Sequence, residues 1–208
     1  MLFDPLYIGI LVGTLLLSGA VSLLVRHQFS AGQRIPLRTA MAGRDVVRAV
    51  LTAYGIHGVR IVEHPGFLSD HYNPLTRTLA LSPDVYHGRD AAAAGVAAHE
   101  AGHAIQHASA YAPMWMRSAI VPAANIGSSL GPWLVIVGII LGAGQGLGYA
   151  LALGGVALFA ASTVFTLVTA PVEFDASARE KRALDRLGIV RTRAEAAAVN
   201  GVLNARLA

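Results

Sequence analysis

Long apolar runs alternate with shorter polar blocks along this chain, and the alternation predicts its elements before any reactive residue is considered. From Leu6 to Val25 there is no Asp, Glu, Lys or Arg, and from Ser118 to Val172 there are 55 consecutive residues without one. About 20 residues cross the hydrocarbon core of a bilayer, so the first run predicts one span and the second is too long for one. The stretch Gly142-Ala143-Gly144-Gln145-Gly146-Leu147-Gly148 divides the second run into a hairpin, with spans near 119–141 and 149–170 inside a segment 118–170. A soluble helical pair with no polar face would need a much larger protein around it. A cleaved signal peptide starts with a basic region, whereas Met1 to Pro5 carries Asp4 and no Lys or Arg; an uncleaved anchor over 1–25 is expected.

The polar block 26–117 reads as a small domain. From Thr39 to Tyr54 the apolar positions Val46, Val47, Val50 and Leu51, set among Arg44, Asp45 and Arg48, predict an amphipathic helix ending near Gly55. Val59–Val62 reads as a short strand, and Thr76–Ser82 as a second, bounded by Asn73-Pro74 and Ser82-Pro83. The second is expected to be an exposed edge to which an extended peptide can add; an ordinary structural strand is the alternative. The remaining block, 171–208, predicts a C-terminal helical segment.

Composition agrees with a bilayer setting, since 54% of the 208 residues are hydrophobic and 13% charged. There is no Cys, which excludes disulfides and thiolate-bound metals. The formal charge of +4 comes from 16 Lys and Arg, nine between Arg26 and Arg117 and seven between Arg179 and Arg206. The positive-inside rule puts both blocks in the cytoplasm and the N-terminus outside. No repeat, low-complexity tract or nucleic-acid signature is visible. The fold expected is a mainly α membrane protein: three transmembrane helices with a small cytoplasmic α+β zincin-like domain.

Within the polar block stands His99-Glu100-Ala101-Gly102-His103, an HExxH motif. On a helix, residues four apart share a face, so both imidazoles can reach one ion while Glu100 addresses a water bound to it. Asp90 as an N-cap, the helix-forming run Ala91–Ala98 and the later Pro113 predict that helix over about 90–110. His107 continues the stripe, but a rise of about 1.5 Å per residue carries it roughly 12 Å from His99, too far to share one ion whose bonds are about 2 Å long. The third ligand therefore comes from elsewhere. The hairpin returns the chain to the motif's side of the membrane at Pro171, just before Glu173, which makes Glu173 the leading candidate; His64, His71, His87 and Asp175 compete with it. Two His and a Glu, with water in the fourth position, is a catalytic zinc set.

Four segments now carry a resemblance: Gly66-Phe67-Leu68-Ser69-Asp70-His71-Tyr72-Asn73-Pro74, Leu81-Ser82-Pro83-Asp84-Val85-Tyr86, Val96 through His107, and Pro171-Val172-Glu173-Phe174-Asp175-Ala176-Ser177. Over roughly residues 40–190 the chain resembles the YugP-type putative neutral zinc metallopeptidases of bacterial membranes. The resemblance implies a zinc peptidase of the bacterial inner membrane and supports Glu173 as the downstream ligand. More distantly, the layout is similar to the HtpX and CAAX-prenyl protease group, in which an Asp shortly after the ligand Glu orients a metal histidine; Asp175 and Ser177 are the positions near that place here.

The expected activity is hydrolysis of a peptide bond at the cytoplasmic face, with Zn²⁺ as cofactor, Glu100 as general base, and His71, Tyr72 and Arg179 as candidates for the substrate or oxyanion site. The partners expected are a peptide or membrane-protein substrate, the lipid bilayer and a second copy or another membrane protein, without nucleic acid. The rival is a non-catalytic scaffold or chaperone-like protein with a structural or inactive zinc site, closed by a fourth protein ligand. A di-iron carboxylate site needs two ExxH motifs, and Glu100–His103 is the only one in the chain.

Overall fold

A computed structural model of the chain describes residues 5–142 and 144–207. Met1–Asp4, which bore on the signal-peptide question, Ala143 of the glycine-rich turn and Ala208 lie outside the described residues. The described chain is mainly helical, with one small sheet, and packs as two compact units: residues 1–105 with 176–208, and residues 106–175.

In the first unit, α1 (Pro5–Gln33) is apolar through Val25, and Leu15, Leu16, Leu17 and Leu23 are all more than 60% exposed on it. Such a surface is stable against lipid tails, not water. Past Arg26 the same helix enters the folded domain, where Phe29 is buried and Gly32 approaches Ala92 and Val202. The amphipathic helix α2 (Gly43–Ala53) buries Val46, Val47, Val50 and Leu51. It begins four residues later than the sequence predicts, because Ala40 turns the chain with a φ of 50° and the Gly43 N–H is bound to the Gly88 carbonyl. It ends as expected, at Gly55 with φ 65°, where the Ile56 N–H reaches back to the Leu51 carbonyl at 2.9 Å.

The sheet contains β1 (Arg60–Glu63), β2 (His71–Asn73) and β3 (Thr78–Leu81) in the order β1-β3-β2. β3 pairs in parallel with β1, Ile61 opposite Leu79, and antiparallel with β2, Tyr72 opposite Leu79. The expectation that Thr76–Ser82 forms an exposed edge is therefore overturned: β3 is the central strand and buries Leu79, Ala80 and Leu81. Its consecutive buried residues are those of a strand covered on both faces, the ordinary structural strand that was the alternative. The three-residue β2 is too short to leave a period in the sequence. Asp70 staples its start to the end of β3, accepting from the Ser82 N–H at 2.7 Å.

A short helix α3 (Pro83–His87) leads to α4 (Ala91–Ala108), which starts where the sequence indicates: the Asp90 carboxylate accepts from the Ala93 N–H at 2.9 Å. From Ala91 to Gln106 every residue of α4 is buried. The alanines and glycines let neighbours approach closely; a Cβ on Gly102 would lie 2.8 Å from the Ala176 carbonyl oxygen. Helix α7 (Arg193–Leu207) opens with a capping box, the Glu195 N–H donating to Thr192 Oγ1 at 3.1 Å and the Thr192 N–H to Glu195 at 2.8 Å. The same buried carboxylate accepts from the Arg38 and Arg191 N–H groups.

In the second unit, most of α5 (Ala112–Ile140) pairs with the apolar part of α6 (Gly146–Arg186). Gly127, Gly131 and Gly138 face this contact so closely that a Cβ on Gly138 would meet the Ala152 amide, while Trp133, Ile140, Leu147 and Leu153 point outward. Small residues inside and large apolar ones outside is the arrangement of helices in lipid. Among the described residues, three helices are long and apolar enough to cross a membrane, within residues 12–33, 112–140 and 146–186. Helix α6 continues through Pro171 for 41 residues, roughly 60 Å at 1.5 Å each, twice what a bilayer core requires.

Candidate metal centre

Helix α4 carries His99 and His103 one turn apart, and their ring centroids lie 4.9 Å apart in an edge-to-face arrangement. His99, Glu100 and His103 are 2%, 3% and 6% exposed, so three polar side chains lie close together on a buried helix. Buried polar groups persist where they are paired or bind something. For His99 one partner is plain: its Nδ1 lies 3.5 Å from Glu180 Oε2 and 3.4 Å from Ser177 Oγ, both on α6. A carboxylate at Nδ1 favours the tautomer protonated there, which leaves the Nε2 lone pair for a metal.

Along α6, Glu173, Ser177 and Glu180 recur at steps of four and three, which puts them on one stripe of the helix. Glu173 lies 3.6 Å from the Arg117 guanidinium of α5. These are the two charges that bracket the uncharged run. Asp175, two residues on, points elsewhere around the helix; it accepts from Gln106 Nε2 at 2.9 Å, and the same amide group donates to the Val172 carbonyl at 2.8 Å.

Among the described residues, a ring nitrogen from each of His99 and His103 and a carboxylate oxygen of Glu173 lie within 4.8 Å of one another. The donor set fits zinc: two imidazoles, one already backed by a carboxylate, and one carboxylate oxygen.

His107 packs its ring 5.2 Å from that of Trp115. His64 and His71 meet edge to face at 5.4 Å, with His71 Nδ1 2.8 Å from the Ser69 carbonyl. His87 bridges Arg44 at 2.9 Å and Glu63 at 3.1 Å. Tyr72 is half-buried on β2, and burial raises its phenol pKa above the usual value, against a smaller opposing effect of Arg77. Arg179 is half-buried beside Glu180 in the chain. Sequence reasoning missed Glu180, which is fully buried. The signal was there in the Glu173, Ser177, Glu180 spacing, once α6 is known to run on past Pro171.

A pair of buried histidines on a helix, backed by a carboxylate, offers donors that a metal ion takes, in a chain with membrane-length apolar helices. The family described as "putative neutral zinc metallopeptidase" matches residues 7–207, and the chain belongs to it. The chain is 35% identical over 200 residues to "Putative membrane protease YugP" of Bacillus subtilis (strain 168), covering 96% of this chain and 86% of that protein. No solved structure matches it.

Proposed function

We propose that this chain is a membrane-embedded zinc endopeptidase that hydrolyses peptide bonds of peptides or membrane proteins at the cytoplasmic face of a bacterial inner membrane. In this reading residues 1–25 anchor the chain with the N-terminus outside, 26–117 form a zincin-like domain, 118–170 form the hairpin, and 171–208 bring Glu173 to the histidines. The single observation that carries the reading is the His99, His103 and Glu173 trio within 4.8 Å, with a buried carboxylate behind His99.

His99 Nε2, His103 and Glu173 are the ligands that would hold zinc. Zinc held there would polarise a scissile carbonyl and lower the pKa of a water beside it toward about 7. Glu100, next to both histidines on the buried helix, takes the proton from the attacking water and hands it to the leaving amine. Glu180 and Ser177 hold the His99 ring in the ligating orientation, which assigns the role that Asp175 and Ser177 were candidates for to Ser177 together with Glu180. Arg117 orients the Glu173 carboxylate. His71, Tyr72 and Arg179 remain the candidates for holding the substrate or its oxyanion.

The test is zinc content and hydrolysis measured together. His99→Ala and His103→Ala should lose zinc; Glu100→Gln should keep about one zinc per chain and lose hydrolysis. Stoichiometric zinc in both histidine variants would defeat the reading, and turnover in Glu100→Gln would move the base elsewhere.

A further inference from the structure

Between β1 and β2 the chain makes a loop, residues 64–70, whose apolar tip faces away from the core. Gly66 has φ 120° and Leu68 has φ 50°, an uncommon backbone for a branched side chain, and Ser69 Oγ ties the loop together by donating to the Pro65 and Gly66 carbonyls at 3.2 and 3.3 Å. The left-handed turn directs Leu68 against the core and leaves Phe67 49% exposed. A left-handed backbone at a branched residue persists where its surroundings over-determine it, and here it leaves Phe67 facing outward.

The position of Phe67 identifies what it faces. Its ring packs edge to face on Phe29 of α1 at 5.5 Å, and the Arg26 guanidinium lies 5.4 Å from its centroid. Arg26 is the first charge after the apolar run of α1, so it marks the level at which that helix leaves the hydrocarbon. Phe67 therefore sits at the same level, about one helical turn from the exposed Leu23 and Leu24 of the apolar run. Aromatic rings and snorkelling arginines occupy this depth of a bilayer.

We infer that the β1–β2 loop is a second membrane contact, with Phe67 inserted at the lipid headgroup–acyl boundary and Arg26 reaching the lipid phosphates beside it. The inference rests on α1 as a span and not on the peptidase chemistry. The loop leads directly into the edge strand β2, so the contact would fix how far that edge stands from the membrane surface.

The chain has no Cys, so single introduced cysteines report one site each. Phe67→Cys, Leu16→Cys in α1 and Arg48→Cys on the polar face of α2 would be labelled with an environment-sensitive fluorophore. Each full-length protein would be reconstituted in phosphatidylethanolamine and phosphatidylglycerol vesicles containing lipids spin-labelled near the headgroup or near the chain end. The label at 67 is expected to emit at shorter wavelength than at 48 and to be quenched about twofold or more by the shallow spin label, while that at 16 responds most to the deep one. Emission and quenching at 67 equal to those at 48 would overturn the inference, and so would absence of quenching at 16. Because loss of the ring can disturb Phe29, Phe67→Trp with Trp115→Phe and Trp133→Phe provides a second reading through quenching by brominated lipids. Quenching there supports the contact, and its absence in a folded protein overturns it.

Discussion

Glu180 carries the sharpest expectation for a single residue. Its buried carboxylate lies 3.5 Å from the His99 imidazole, and behind a metal-ligating histidine such a group fixes the ring's orientation. Glu180→Ala is expected to weaken zinc binding by roughly 10–100-fold, with Glu180→Gln in between because its amide oxygen still accepts from Nδ1–H. Competition with a chelator of known affinity measures this; unchanged affinity in both variants would reduce Glu180 to a packing residue. Glu173 and Asp175 make a second comparison. Glu173→Ala should lose zinc, whereas Asp175→Ala should keep it, since Asp175 is held by Gln106. Full zinc in Glu173→Ala with loss in a His64, His71 or His87 variant would move the site to an all-histidine set.

Two joints between elements make the local geometry of the motif helix testable. Gly102 lies beneath Ala176 with no room for a Cβ, so Gly102→Val is expected to destabilise the fold by more than about 2 kcal/mol, read from thermal unfolding in detergent. The α7 cap gives a pH-dependent case. Burial tends to raise the Glu195 pKa, but the N–H groups of Arg38, Arg191 and Thr192 and the Thr192 hydroxyl together hold it below its ordinary value of 4.5. Because the folded-state value is depressed, the stabilisation is present at neutral pH and is lost as pH falls below about 4.5 through the folded value. Glu195→Gln should therefore be less stable than wild type by about 2 kcal/mol at pH 7, with the gap closing toward acid. A pH-independent gap would assign the effect to packing.

The same elements account for what could be read in advance. The Asp90 cap, the α2 stripe and the spacing of His99 and His103 are local patterns, legible because each is set within a few residues. The pairing of β3 between β1 and β2 is set by contacts distant in sequence, and the three residues of β2 are too few to show a period. The sequence sets the end of the last span near residue 170, whereas α6 runs on through Pro171 and carries the stripe to Glu180.

For the whole molecule, the distribution of basic residues gives the orientation to be tested. Accessibility tags at the N-terminus and within residues 142–148 should be reached from outside the cytoplasm, and tags near residue 35 and at the C-terminus should not. A cytoplasmic 142–148 turn would remove both the hairpin and the route by which Glu173 joins the histidines. The central claim is that the chain cuts peptide bonds through Glu100. It is tested most directly by comparing, by mass spectrometry, the new protein N-termini in membranes carrying the wild type and Glu100→Gln at equal abundance. A set of cleavage sites present with the wild type and absent with Glu100→Gln is the expected result; identical sets of termini in the two membranes would contradict it.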